Sequence, residues 1–401
     1  MTTIAFGKVN SDKKLIFVLL CLGNITISVN TGAVAAAIPL IGQDLHQPDF
    51  VVSKIVVFYM IPYGLGALLY APLTRILSYR LILVIASLSY AFFSLLSGLS
   101  HSLDTILWAQ IGAGIAAASS TPLSLMIIGE LFDKDMRGRL VGGYFGSSFL
   151  AATMGMIFMG LVDWHWLFFI PMILALMTAS GLVGLRLDLL DRVHDSSVNY
   201  FKALGRPEIR NVFIFIFVMS ALYHAVHKWY GTYMVHEYGL DKKTISMFLI
   251  IAALCGLSGQ QIGGYLSDKK GRLVACFVGI FILAFGTMLL AGHYYLFAIP
   301  IILGLISMGW TINHNSVSTI LTDFPDDDRP IMASLNSAVR FISGGLGFSL
   351  SRVFVEKSFP LTFLGIGILF FLVSLIIKRV IPALETGRPR QGAKYEGRFD
   401  G

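Results

Sequence analysis

Charge is scarce in this chain: only 13% of its 401 residues are Asp, Glu, Lys or Arg, about half the roughly 25% of a soluble globular protein. So few charges cannot cover a water-exposed surface. With 56% hydrophobic residues and a mean hydropathy of +0.76, lipid is the expected solvent and a water-soluble fold is excluded. Cysteine is nearly missing too. Cys21, Cys255 and Cys276 are odd in number, widely spaced and set in apolar stretches, which excludes a disulfide framework or a CxxC metal site and leaves them as small buried hydrophobes. There is no Walker loop, no HExxH and no GxSxG, so neither an enzyme nor a cofactor is expected. Rings of charge and repeated filter loops, the marks of a channel, are also absent. The basic excess of +7 is spread over loops rather than gathered in a groove, so no nucleic-acid partner is expected.

What is abundant is apolar sequence in blocks of bilayer length. Twelve stretches reach the roughly 20 residues that a crossing helix needs: 15–40, 51–73, 80–100, 103–127, 139–161, 165–185, 211–235, 244–266, 273–291, 296–321, 330–352 and 359–378. The first ends in AVAAAIP, faintly like a signal peptide, but it is too long for one. The expected class is an all-α membrane protein. Its loops set the orientation. With the N-terminus in the cytoplasm, 23 of the 30 Lys and Arg residues fall on the cytoplasmic side and five outside, a bias that places both termini inside. The polar segment 186–210 is the one good linker, and it divides a unit at 1–185 from a unit at 211–380. The tail 381–401 is too polar to pack and is expected to be disordered.

The two units repeat one another. APLTRILSYR after the second span aligns with GGYLSDKKGR after the eighth. FDKDMRGRL after the fourth aligns with FPDDDRPIM after the tenth. Leu73 then matches Leu266 and Arg137 matches Arg329, separations that agree to within one residue. Two independent loops with one offset indicate a tandem duplication of a six-helix unit, which places a solute site between the halves.

These same loops resemble those of the major facilitator superfamily (MFS). In GYLSDKKGR, Gly264, Leu266, Asp268, Gly271 and Arg272 stand where that family's loop signature has them. GELFDKDMRGRLVGGY, DWHWLFFI and LNSAVRFISGGLG resemble its helix 4–5 loop, helix 5–6 junction and helix 11. The resemblance covers essentially the whole chain and is nearest the drug and metabolite efflux branch. It implies twelve transmembrane helices in two pseudo-symmetric six-helix bundles, secondary transport by alternating access, and a bacterial inner-membrane location. The implied partners are a small-molecule solute, protons and the lipid bilayer, with the protein a monomer. The chain departs from the efflux branch at four places: Arg75 where an Asp is usual, Trp108 where Arg is frequent, Ala151-Ala152 in place of Gly-Pro, and Asn30 where many proton-driven exporters carry Asp.

Polar residues inside the spans mark the candidate site, because a polar group facing lipid is costly. Spans 3, 6, 9 and 12 hold only hydroxyls. The others hold Asn24, Asn30, Gln110, His224, His227, Lys228, Gln260, Gln261, Asn313, His314, Asn315 and Arg340. The family resemblance implies that helices 1, 4, 7 and 10 line the cavity, and the polarity follows that division. In YHAVHKWY, His224 and Lys228 lie four apart on one helix face. They form either a cationic patch for an anionic solute or, for Lys228, a side chain snorkelling outward beside Trp229 and Tyr230. Asn24, Gln110, Gln260 and Gln261 serve equally as solute contacts or as helix-packing bonds, and Asn313, His314 and Asn315 cannot share one face. The solute contacts expected are Asn30, Gln110, His224, His227, Lys228, Gln260, Asn313, His314 and Arg340. No Asp or Glu falls in the middle of any span, so a neutral or anionic solute is expected, with any proton coupling carried by His. A receptor or scaffold of the same fold and a drug-efflux antiporter are the other readings. Import and export both stay open.

The resemblance also implies a cytoplasmic latch. Asp268, next to Arg272, would face Arg137 and Arg139, and Arg75 would face Asp326, Asp327 and Asp328, closing the inner side in the outward-open state. Arg75 in place of Asp then reads as a charge swap with an acidic partner. Arg75→Asp is expected to slow transport several-fold and Asp327→Arg on top of it to restore most of the loss, measured as flux in proteoliposomes. Equal impairment of the single and double variants excludes the pair.

Overall fold

The computed structural model describes residues 11–185, 188–191, 193, 199–322 and 329–380. The Asn30 side chain, Asp327 with its neighbours Asp326 and Asp328, and the tail 381–401 lie outside the described residues. The described regular structure is helical throughout. Eleven helices are long and apolar enough to cross a membrane: α1 (Ser11–Ala36), α2 (Asp49–Leu73), α3 (Tyr79–Gly98), α4 (Leu103–Leu131), α5 (Lys134–Leu161), α6 (Trp166–Gly184), α7 (Pro207–Tyr238), α8 (Lys242–Lys270), α9 (Arg272–Leu289), α11 (Arg329–Val355) and α12 (Phe359–Val380). Between them lies α10 (Ala298–Thr322), 25 residues long and outside that set of eleven because Asn313-His314-Asn315 interrupts its apolar run. It packs between α8 and α9 like a full member of its bundle. The chain is a multi-pass membrane protein.

Local sequence explains where the helices stop and bend. Ser78 Oγ accepts from the Leu81 amide and Asp241 Oδ1 from the Thr244 amide, capping α3 and α8 at their starts. The first helix ends at Ala36, short of the expected 40. Pro39 sits in the first turn of a separate helix, Ile38–Asp44, where its missing N–H costs nothing. Helix α7 runs past the expected 211–235 at both ends and is interrupted at Lys228 and Trp229 before continuing as Tyr230–Tyr238. It closes on Gly239 at φ 62°, a left-handed C-cap that favours glycine.

Outward faces are apolar at helical spacing. Leu81, Ile85, Leu88 and Phe92 of α3, Phe277, Phe281 and Phe285 of α9, and Leu361, Ile368, Leu372 and Leu375 of α12 are all exposed. Patches of that kind suit acyl chains and would drive aggregation in water. Within the first bundle α1 packs on α5 and α6, α2 on α4, and α3 on α4 and α6. Within the second, α7 packs on α11 and α12, α8 on α10, and α9 on α10 and α12. The bundles meet through α2 against α11 and α5 against α8, two contacts that exchange under the sequence repeat.

On the linker side of the fold, Arg80 of α3 donates from Nε and one Nη to the two carboxylate oxygens of Asp191 at 2.6 and 3.0 Å. Its other Nη donates to the Leu182 carbonyl at 2.5 Å and to that of Leu185. One guanidinium thus closes the C-terminal carbonyls of α6 and pins the start of the linker. The hydrogen bond from Arg80 holds the Asp191 carboxyl below its usual range.

Glycines set the closest approaches. A Cβ on Gly347 of α11 would stand 2.1 Å from the Ala221 carbonyl of α7, and one on Gly64 of α2 would stand 2.8 Å from the Ala338 carbonyl of α11. Gly142 and Gly146 of α5, by contrast, face no atom within 4 Å. Gly347→Ala is expected to lower stability by about 1–3 kcal/mol through overpacking against rigid backbone, while Gly142→Ala leaves it unchanged or slightly raised. Thermal melts of the two variants in detergent check both.

Candidate functional site

The middle of the second bundle is built from residues repeating every fourth position, so each set shares one helix face. On α7 these are Ser220 and His224. The Ser220 hydroxyl donates to the Arg340 carbonyl of α11 at 2.9 Å. His224 Nδ1 lies 2.8 Å from the Ser220 carbonyl oxygen, an acceptor, which puts a ring hydrogen on Nδ1. On α11 they are Asn336 and Arg340: Arg340 Nε donates to Asn336 Oδ1 at 2.7 Å. On α10 they are Trp310, His314 and Ser318. An Arg340 Nη reaches Ser318 Oγ at 3.5 Å, and His314 Nδ1 is 3.5 Å from the same hydroxyl. Arg340 and His224 both act electrostatically on His314, so the three basic side chains of three helices share one region.

Arg340 is hydrogen-bonded only by neutral oxygens. The ion pairs Arg80–Asp191, His165–Asp163, His236–Asp49 and Arg352–Glu356 lie elsewhere. A guanidinium in this position is always charged and costs several kcal/mol to desolvate unless a counter-charge or water compensates it. Beside it stands an aromatic wall. Tyr223 and Trp310 stack with centroids 3.9 Å apart and planes 3° from parallel, and His227 stacks on Tyr223 at 4.9 Å. His227 Nδ1 is buried without a hydrogen-bond partner.

Of the expected solute contacts, the structure brings together His224, His314 and Arg340, with His227 behind the Tyr223 ring. It sends others to helix interfaces. Gln110 Nε2 donates to Ser97 Oγ at 2.9 Å, joining α4 to α3. Asn313 is buried against Gly279 of α9. The Asn315 amide donates to the Gln260 backbone carbonyl at 3.0 Å, tying α10 to α8. Asn24 donates to the Tyr144 carbonyl and to Ser147 and Ser148 of α5. Lys228 does not snorkel: it is 3% exposed, and its Nζ donates to the Thr31 carbonyl of α1 at 2.6 Å. Trp310, Tyr223, Ser318, Asn336 and Ser220 escaped the sequence reading, although their fourfold spacing from His314, Arg340 and His224 could have disclosed most of them.

Direct ties between the bundles gather at the end where α1 finishes and α2 begins, here called the distal end. Besides Lys228 to Thr31, His236 Nε2 lies 3.0 Å from Asp49 Oδ2, Ser246 Oγ donates to the Met156 carbonyl at 2.5 Å, and Lys242 Nζ donates to that of Val162 at 3.2 Å. Phe50 packs against both Trp229 and Phe359. At the opposite end the expected pairing of Asp268 with Arg137 and Arg139 is not made. Arg137 Nε donates to the Phe132 carbonyl at 2.8 Å, Arg139 and Asp268 are exposed, and the basic group acting on Asp268 is Arg272. The acidic side chains expected opposite Arg75 lie outside the described residues.

This architecture is that of a membrane transporter. The family model of the Major Facilitator Superfamily matches residues 20–348 and, in a second match, 232–399; the chain belongs to that superfamily. A multidrug transporter of Candida glabrata is 26% identical over 159 residues, 39% of this chain and 28% of that one, so the match spans less than a third of that relative. The uncharacterized MFS-type transporter YceJ of Bacillus subtilis is 22% identical over 390 residues, 92% of this chain and 96% of that one. Among solved structures, a bacterial homolog of the human lysosomal transporter Spinster, inward-facing and unoccupied, superposes with a TM-score of 0.76 at 12% identity, covering 96% of this chain and 100% of that one.

The Lys228–Thr31 bond predicts a conformational effect. Lys228→Met is expected to remove one distal tie and raise labelling of a cysteine placed at Ala36 by a water-soluble maleimide several-fold, in a background without the three native cysteines. Unchanged labelling means that the bond does not hold the distal end shut.

Proposed function

We propose that this protein is a secondary transporter carrying a small anionic organic solute across a bacterial inner membrane by alternating access. The observation that carries the reading is Arg340, charged, near the middle of α11 and hydrogen-bonded only to Asn336 and Ser318. A solute carboxylate or phosphate would supply the missing counter-charge, with His314 and His224 close by. The loop charges favour cytoplasmic termini, which makes the distal end extracellular. The cluster of ties there then corresponds to an inward-facing arrangement. The working division is a bundle at 1–185, a linker at 186–210, a bundle at 211–380 and a cytoplasmic tail at 381–401. The transporter is taken to act as a monomer, with proton coupling, where present, through His224, His227 or His314.

The multidrug relatives suggest a drug-efflux reading, but a cationic drug wants a buried carboxylate and no span carries one at mid-depth. A scaffold without flux is the further alternative. Purified protein in proteoliposomes, screened first by thermal shift against organic anions and then by flux, tests all three. Arg340→Gln is expected to cut uptake of an anionic hit at least tenfold, and Arg340→Lys to restore part of it. Undiminished flux in Arg340→Gln overturns the anion reading, and no flux of any anion or cationic drug leaves the scaffold. If the His224→Ala, His227→Ala, His314→Ala triple variant keeps the wild-type pH dependence, proton coupling through these residues is excluded.

A further inference from the structure

The α10 face that carries Arg340's second contact is graded along its length. Trp310, His314 and Ser318 stand one above another, about 6 Å apart along the axis at each step of four residues, so the surface runs from indole through imidazole to a hydroxyl facing the guanidinium. The Trp310 and His314 rings are 5.7 Å apart. One face of Trp310 is covered by the nearly parallel Tyr223 ring, yet Trp310 remains half-exposed. The indole is therefore backed on one side by Tyr223, with part of its surface left uncovered. The other closely stacked pair near Arg340, Tyr63 on Phe341 at 3.7 Å, differs in that Tyr63 is 2% exposed and packs α2 against α11.

From this grading we infer that the transported anion is an aryl carboxylate, its ring laid on the uncovered part of Trp310 and its carboxylate held by Arg340 across a spacer that passes His314. This rests on the anion reading above and adds the class of solute. Backing by Tyr223 matters because it fixes the indole plane before binding, so little side-chain entropy is lost when a second ring stacks on it. A flat π-system gains the offset stacking that a saturated ring of equal size and charge does not. His314, between the two anchors, presents an imidazole to the spacer region and tolerates either a polar or an unsaturated link.

Titration calorimetry on the full chain in nanodiscs tests this with three matched probes: trans-cinnamate, cyclohexanepropionate and cinnamamide. Cinnamate is expected to bind roughly 3- to 10-fold tighter than cyclohexanepropionate, and cinnamamide at least tenfold weaker than cinnamate. Trp310→Leu is expected to abolish the gap between the two carboxylates while both still bind. Trp310→Phe, which keeps a ring and the packing on Tyr223, retains most of the gap. Equal binding of the two carboxylates by the wild-type protein, or a gap that survives Trp310→Leu, overturns the aryl assignment and leaves the anion reading standing. Binding of cinnamamide as tightly as cinnamate overturns the anion reading and this inference with it; binding of neither carboxylate overturns this inference alone.

Discussion

Inside a bilayer no water waits to satisfy a polar group, so every polar side chain must find a partner within the protein or border an aqueous path. That constraint organises this molecule. Asn24, Gln110 and Asn315 each spend their amide on a neighbouring helix; they are internal fastenings. The Lys228 amine spends itself on a carbonyl of the other bundle. Arg340 too has only neutral acceptors, Asn336 and Ser318, and around it lie His224, His314 and the Tyr223–Trp310 pair. The candidate site is what remains when these helix-to-helix bonds have been subtracted.

The same constraint decides what the amino-acid sequence could reveal. Depth in the membrane is legible from hydropathy, and the loop charges and the duplicated motifs fix the order and pairing of the helices. The rotation of each helix about its axis is much less legible. Asn313, His314 and Asn315 occupy nearly one depth, but successive residues turn by about 100°: Asn313 meets α9, His314 the interior and Asn315 α8. Gln110 and Arg340 likewise both read as intramembrane polar residues. Ser97 on α3 absorbs the first, and no acid absorbs the second. Such partners sit on other helices, at sequence separations that no local pattern encodes. Asn30, Asp327 and the acidic side of the expected Arg75 pair fall outside what the structure describes, so they remain expectations from the sequence.

The distal ties show how two bundles can be held firmly enough to close one end yet remain separable. They are few, polar and mostly single hydrogen bonds: a lysine on a carbonyl, a histidine on an aspartate, a serine on a carbonyl. Each is worth about 0.5–1.5 kcal/mol net, so their sum is commensurate with what solute binding supplies. Close backbone packing occurs both inside a bundle and between the two, at Gly64 against Ala338. Backbones such as those at Gly347 and Ala221 approach too closely for even a methyl group, and contacts of that sort do not open a little at a time. Rocking about a central site would have to break the distal hydrogen bonds and slide the α2–α11 and α5–α8 contacts.

Arg340's lack of an acidic neighbour has an electrical consequence. A full positive charge near the centre of the protein senses the transmembrane voltage, at about 2.3 kcal/mol per elementary charge for each 100 mV that it traverses. An unloaded carrier would therefore prefer, in an energised cell, whichever orientation brings that guanidinium nearer the negative interior. A bound anion cancels the charge and frees the loaded carrier from the same bias. The membrane potential would then act mainly on the return of the empty protein, setting the pace of the cycle through the step in which nothing is carried.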